Sequence, residues 1–240
     1  MDVTALYTSI PHKDGLSAIK YLWDHQGKKE IPTSTIVRLF ELVLTTNCFS
    51  FTDKFFHQIA GVAMGSKLGP SYACLFMGHQ ETFIMQQYTG PKPNLYIRFI
   101  DDIFCTSSLS NDQLNNFFDF CNDFHPSIKF THSVSFTNIP FLDLNVKINN
   151  TSLITTIHYK PTDSHNYLKY NSNHPESCKN SVPYSQFFRL KRICSLPSDF
   201  VQEARSMYGN FIRSGYPPNI VREALDKVSH VKNTRKTKRF

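Results

Sequence analysis

The sequence predicts an α+β fold in two parts. An antiparallel sheet with packed helices occupies residues 1–150, and an all-α segment follows over 151–240. Three observations carry this expectation. β-prone runs alternate with helical periodicity up to about residue 160. Beyond Pro161 only loops and helical patterns follow. The boundary is therefore expected near 150–180, and charge divides close to it: residues 1–150 hold 11 Lys/Arg and 13 Asp/Glu, whereas 151–240 hold 15 and 6.

Taken in order, a short segment around Asp2–Leu6 precedes "KDGLSAIKYLWDH", in which Leu16, Ile19, Leu22 and Trp23 recur at helical spacing. "IPTSTIVRLFELVLTTN" predicts a second helix, capped by Thr33 or Ser34, with Ile36, Leu39, Phe40 and Val43 on one face. "CFSFTDKFFHQI" reads as a hairpin turning at Thr52–Lys54. "GVAMGSKLGP" is a loop, after which Pro70 starts a helix running to about Tyr88. "NLYIRFIDDIFCTS" reads as strand, tight turn, strand, and Ser110 with Gln113 has capping-box spacing before "NDQLNNFFDFCNDF". Three further strands are expected in "SIKFTHSVSF", "IPFLDLNVKI" and "SLITTIHYK", the last two joined by a turn at Asn149–Asn150. Helices are then expected over about 184–195, 198–213 and 217–230.

Composition narrows the function classes. The chain has 240 residues, 40% hydrophobic, which is enough for a sizeable core. It has no run of about 18 apolar residues, which argues against a membrane partner. "MDVTALYTSIPHKDG" lacks the basic and apolar regions of a secretory signal. Six cysteines without CxxC spacing read as free thiols in a reducing, intracellular compartment. The net charge of +7 comes entirely from residues 151–240, which points to a polyanion such as nucleic acid. His158, His165, His174 and Cys178 do not have the spacing of a standard zinc finger.

The feature that bears on chemistry is "LYIRFIDDIF", where Asp101 and Asp102 interrupt an apolar, β-prone run. Two charges about 4 Å apart repel by roughly 4 kcal/mol at intermediate dielectric. Either the pair lies in a hairpin turn where water screens it, or a divalent cation neutralises it. The second option needs another carboxylate from a neighbouring strand, and Asp2 in "MDVTALYTSIP" can supply it. With Asp2 beside the hairpin, Asp2 and Asp101 can share two metals about 3.5–4 Å apart, the arrangement for in-line phosphoryl transfer.

"DVTALYTSIPH", "GVAMGSKLGP", "RFIDDIF" and "PFLDL" occur in the order of reverse transcriptase motifs A, B, C and E. Together with "YKPTDSHNYLKYNSNHPESCKNSVPYSQFFRLKRICS", they make the chain resemble the reverse transcriptases of Penelope-like retroelements along nearly its whole length. The resemblance implies a polymerase palm over 1–150 and a thumb-like segment with a helix-turn-helix-like unit and basic tail over 151–240. It implies RNA-directed DNA polymerisation with Mg²⁺ or Mn²⁺, an RNA template, a DNA primer and dNTP, and a nuclear location.

By the same resemblance, Asp2, Asp101 and Asp102 are catalytic metal ligands and the Val3 carbonyl is a backbone ligand. Tyr7 is the gate against a ribose 2′-hydroxyl, and Met64 and Gly65 line the nucleotide. Phe99 stands where tyrosine is more usual, and Asp143 in "PFLDL" reads as structural. Arg189, Lys191 and Arg192, beside Tyr184, Phe187 and Phe188, are the expected nucleic-acid contacts, with the aromatics read chiefly as core. The fingers region that precedes motif A in such enzymes is not in this sequence. The expectation is therefore a truncated copy, with an inactive nucleic-acid-binding remnant as the alternative.

Overall fold

The computed structural model describes residues 1–25, 30–149 and 152–231. The tail from Lys232 and Asn150 of the expected Asn149–Asn150 turn lie outside them. The chain forms two compact units, Met1–Ser133 and Val134–Phe240. Both are described separately.

The first unit runs β1 (Asp2–Val3), α1 (Leu6–Ser9), α2 (His12–Asp24), α3 (Thr33–Thr45), β2 (Cys48–Phe51), β3 (Lys54–His57), α4 (Gly69–Gln87), β4 (Leu95–Phe99), β5 (Asp102–Thr106), α5 (Asn111–Phe124) and β6 (Phe130–Thr131). Its main sheet has the order β4-β5-β1-β6, with every neighbouring pair antiparallel. One face is apolar: Val3, Ile103 and Phe130 are buried and join Leu6, Tyr72, Phe76 and Phe117 in a single core. Each such side chain contributes about 1.5–3 kcal/mol by leaving water. β2 and β3 form a separate two-stranded hairpin that turns on Thr52 and Asp53, both left-handed, so Lys54 belongs to the strand rather than the turn.

Local signals explain several boundaries. Pro70 lies in the first turn of α4, where its missing N–H costs nothing. Ser110 and Gln113 form the reciprocal capping box at the start of α5. The cap expected for α3 is absent: Pro32 occupies that position, and the Thr33 hydroxyl donates instead to Asp24 Oδ1 at 2.7 Å. The expected apolar face of α3 is only partly used. Ile36 and Phe40 pack against the core, whereas Leu39 and Val43 are exposed.

The second unit holds a meander, β7 (Asn138–Phe141), β8 (Leu144–Asn149) and β9 (Ser152–Ile157), followed by α6 (Glu176–Ile193), α7 (Pro197–Arg213) and α8 (Pro218–His230). "IPFLDLNVKI" is therefore two strands, because Leu142 adopts a left-handed φ of 53° and reverses the chain. Of "SIKFTHSVSF" only Phe130–Thr131 is strand, and it pairs with β1. α6 starts at Glu176, well before the expected residue 184, and continues through Pro183. The meander groups with the helices, so the chain divides at 133/134 rather than at 150/151. Ile157 belongs to the core of Phe187, Leu190, Met207 and Phe211, and the Thr155 hydroxyl donates to the Ile193 carbonyl at 2.6 Å.

Candidate functional site

Register sets the site. Phe99 pairs with Asp102, Asp102 with Asp2, and Asp2 with Thr131, forming one row across four strands. Directly opposed residues project to the same face of a sheet. The alternation that sends Val3, Ile103 and Phe130 into the core therefore sends Asp2, Asp102 and Phe99 to the open face. Asp101 sits in the two-residue turn between β4 and β5, and its carbonyl accepts from the Val3 N–H at 3.1 Å.

The electrostatics agree with this placement. The Asp2 carboxyl is held above the usual carboxylate range, first by burial and then by the charges of Asp101 and Asp102. Tyr7, in α1, has its phenol raised by burial and then by the Asp101 charge, so it also borders the site. Among the described residues, no three or more His, Cys, Asp or Glu side chains converge into a ready-made metal cage. The donor set fits hard cations nevertheless: three carboxylates share like charge that Mg²⁺ or Mn²⁺ would neutralise. Val3 presents only backbone here, since its side chain is buried.

Sequence reasoning missed the group that anchors the carboxylate hairpin. Tyr96 and Arg98 face inward on β4, while Leu95, Ile97 and Phe99 are exposed, the reverse of what polarity predicts. Arg98 donates through Nε to Glu81 Oε1 at 2.7 Å, through Nη1 to the Ile100 carbonyl at 2.9 Å and through Nη2 to the Cys74 carbonyl at 3.3 Å. The Tyr96 hydroxyl donates to the same Glu81 oxygen at 2.9 Å. Burial opposes the guanidinium charge, and Glu81 outweighs it, leaving Arg98 above its ordinary pKa. Ile100 has a left-handed φ of 57°, unusual for a β-branched residue. That conformation costs about 1–2 kcal/mol. A hydrogen bond to a charged group contributes about 1.5–3 kcal/mol, enough to offset it. The available signal was an arginine inside an apolar strand run.

The loop before α4 is strapped to α1. Val62 N–H donates to the Tyr7 carbonyl at 2.7 Å, and Gly61 N–H donates to the Ile10 carbonyl at 3.1 Å. Gly61 has φ 72°, and a β-carbon there would lie 2.6 Å from the Tyr7 carbonyl oxygen. Gly65 has φ 93° with open space around it, and neighbouring Met64 is 71% exposed. The tip thus offers backbone and an exposed thioether to solvent. Gly69 closes the arrangement, since a β-carbon there would sit 3.4 Å from the Tyr7 ring.

The basic residues expected on nucleic acid have other contacts in the second unit. Arg189 is ion-paired with Asp143, the structural role expected for that carboxylate. Lys191 donates its ammonium to the Val228 and Ser229 carbonyls at 2.7 and 2.8 Å, capping the end of α8. Arg192 is exposed. Phe187 is fully buried, and Tyr184 stacks on Phe188 with ring centroids 6.0 Å apart.

Comparison with known proteins fits this geometry. Residues 166–226 match the Animal helix-turn-helix domain family. No curated protein sequence matches. Among solved structures, telomerase from Candida albicans, in complex with the TWJ fragment of telomeric RNA, aligns with a TM-score of 0.59 at 11% identity. That alignment covers 95% of this chain and 39% of the telomerase chain. Sicinivirus 3Dpol, an RNA-dependent RNA polymerase, aligns with a TM-score of 0.55 at 14% identity, over 95% of this chain and 50% of that one. The chain spans two fifths to half the length of these structures, and the likeness establishes a polymerase palm-like α+β fold with a helical C-terminal part.

Proposed function

We propose that this chain is the palm and thumb-like part of an RNA-directed DNA polymerase of the Penelope-like retroelement type. The observation that carries the reading is the row that sets Asp2 beside Asp102, with Asp101 acting on Asp2 from the adjacent turn. Asp2, Asp101 and Asp102, with the Val3 carbonyl, would hold Mg²⁺ or Mn²⁺. Bound there, the cations supply charge neutralisation and phosphoryl polarisation for transfer of a dNMP to a primer 3′-hydroxyl, releasing pyrophosphate. Tyr7 borders the carboxylates and serves as the steric check on the sugar 2′ position. Met64 and Gly65 offer an open loop tip to the nucleotide and template base. Arg192 and Arg189 serve the backbone of the RNA template and DNA primer by charge, and the location that suits this work is nuclear.

A second reading is supported by the basic excess over 151–240. It is a nucleic-acid-binding part that performs no chemistry itself. Template-directed extension separates the two. Purified protein is given an RNA template, an annealed DNA primer and dNTP with Mg²⁺ or Mn²⁺, alone and joined to a supplied fingers region. The polymerase reading predicts extension, with rNTP incorporation rising in Tyr7→Ala. Salt-sensitive binding without extension in either form would support the second reading.

A further inference from the structure

We infer that Arg98 is the positioning residue of the acidic site, clamping the turn that carries Asp101 to helix α4. The inference rests on the cation-site reading above. A plain core ion pair would need only the Glu81 contact. Here two of the three guanidinium arms go to main-chain carbonyls, one on α4 at Cys74 and one on the turn at Ile100, the residue immediately before Asp101.

The placement matters because of what the strand ladder leaves unheld. The β4–β5 register ends at Phe99 and Asp102, so Ile100 and Asp101 lie beyond the last cross-strand pair. The Val3 N–H holds the Asp101 carbonyl, and Arg98 Nη1 holds the Ile100 carbonyl in its left-handed conformation. Glu81 Oε1 then fixes the guanidinium and is itself shared with Tyr96. α4 begins immediately after the Gly61–Leu68 loop, so a single helix anchors both the loop bordering Tyr7 and the carboxylate turn. A lysine has no planar fork with which to reach three partners at once.

The test compares wild type, Arg98→Met, Arg98→Lys, Glu81→Gln and Asp101→Ala by amide hydrogen exchange and by Mn²⁺ titration. Amides of α5 report global stability. In Arg98→Met, exchange over residues 99–103 should accelerate well beyond that of α5. Mn²⁺ affinity should fall about 10–100-fold, the usual cost of losing a residue that orients a ligand. Arg98→Lys should fall between, and Glu81→Gln, which keeps the shape, should show the same pattern if Arg98→Met fails to fold. Exchange over 99–103 that merely follows α5, or Mn²⁺ affinity within about twofold of wild type, would overturn the positioning role. Undiminished Mn²⁺ binding in Asp101→Ala would instead overturn the cation site itself. Loss in Asp101→Ala alone would leave the site standing and remove Arg98 from it.

Discussion

Asp2 and Asp102 face each other across neighbouring antiparallel strands, and Asp101 adds a third negative charge from the turn beside them. Their repulsion is a cost that the folded chain bears when no cation is present. Asp101→Asn should therefore raise thermal stability in metal-free, low-salt buffer, by on the order of 0.5–1 kcal/mol given partial exposure. Added Mg²⁺ or Mn²⁺ should raise the wild-type Tm and shift the variant less, since a ligand stabilises the state that binds it. Scanning calorimetry with and without divalent cation checks both outcomes.

Gly61 and Gly65 should respond differently to alanine although both have positive φ. At Gly65 only the backbone conformation is strained, which costs about 1–2 kcal/mol. At Gly61 the new β-carbon also meets the Tyr7 carbonyl and Thr8 Cα, at 2.6 and 2.7 Å. Urea unfolding should show Gly61→Ala the more destabilised by at least about 1 kcal/mol, with the loop detached from Tyr7.

Tyr72 is fully buried, and its hydroxyl oxygen has no hydrogen-bond partner among the described residues. Burial and the nearby Asp14 charge push its phenol well above the ordinary range. Tyr72→Phe removes an unsatisfied polar atom and should stabilise the first unit by about 1 kcal/mol. Gly15→Ala should do the reverse, because its β-carbon would lie 1.7 Å from that hydroxyl. Denaturation midpoints of the two variants, moving in opposite directions, check this.

Alkaline pH should weaken the fold through buried thiols. Burial pushes Cys105 up to about 11 and Cys121 up to about 12, from an ordinary value of 9.0. Because the folded values are the higher ones, the unfolded state loses these protons first. The stabilisation is intact below pH 9 and is lost as pH rises from there through the folded values. A Cys105→Ala/Cys121→Ala variant should show a shallower fall in Tm above pH 9. Tyr72 and Tyr96, raised in the same direction, should retain part of the slope.

Much of this was legible because the signals were local. The capping box at Ser110, the proline at the start of α4 and the hairpin carrying Asp101 each depend on a few adjacent residues. What failed depended on distant partners or on tolerated strain. Leu142 turns without a glycine or asparagine, so the β7–β8 hairpin looked like one strand. Pro183 is accommodated inside α6, although proline usually ends a helix pattern. Arg98 points inward because Glu81, 17 residues earlier on α4, receives it. Lys191 also donates to two carbonyls that only the placement of α8 brings into reach. Asp2, Asp101 and Asp102 were singled out by motif, whereas Arg98, hidden in an apolar strand run, was not.

Asp2, Asp101 and Asp102 are proposed as the cation site of a template-directed polymerase. Single-nucleotide incorporation by rapid quench on an RNA-templated DNA primer compares wild type with a folded Asp101→Ala protein, each alone and joined to a supplied fingers region. The predicted result is divalent-dependent incorporation by wild type and a fall of about 10²–10³-fold in the variant, as when a transition-state charge loses its stabilisation. Equal incorporation by the two proteins would remove these carboxylates from the chemistry.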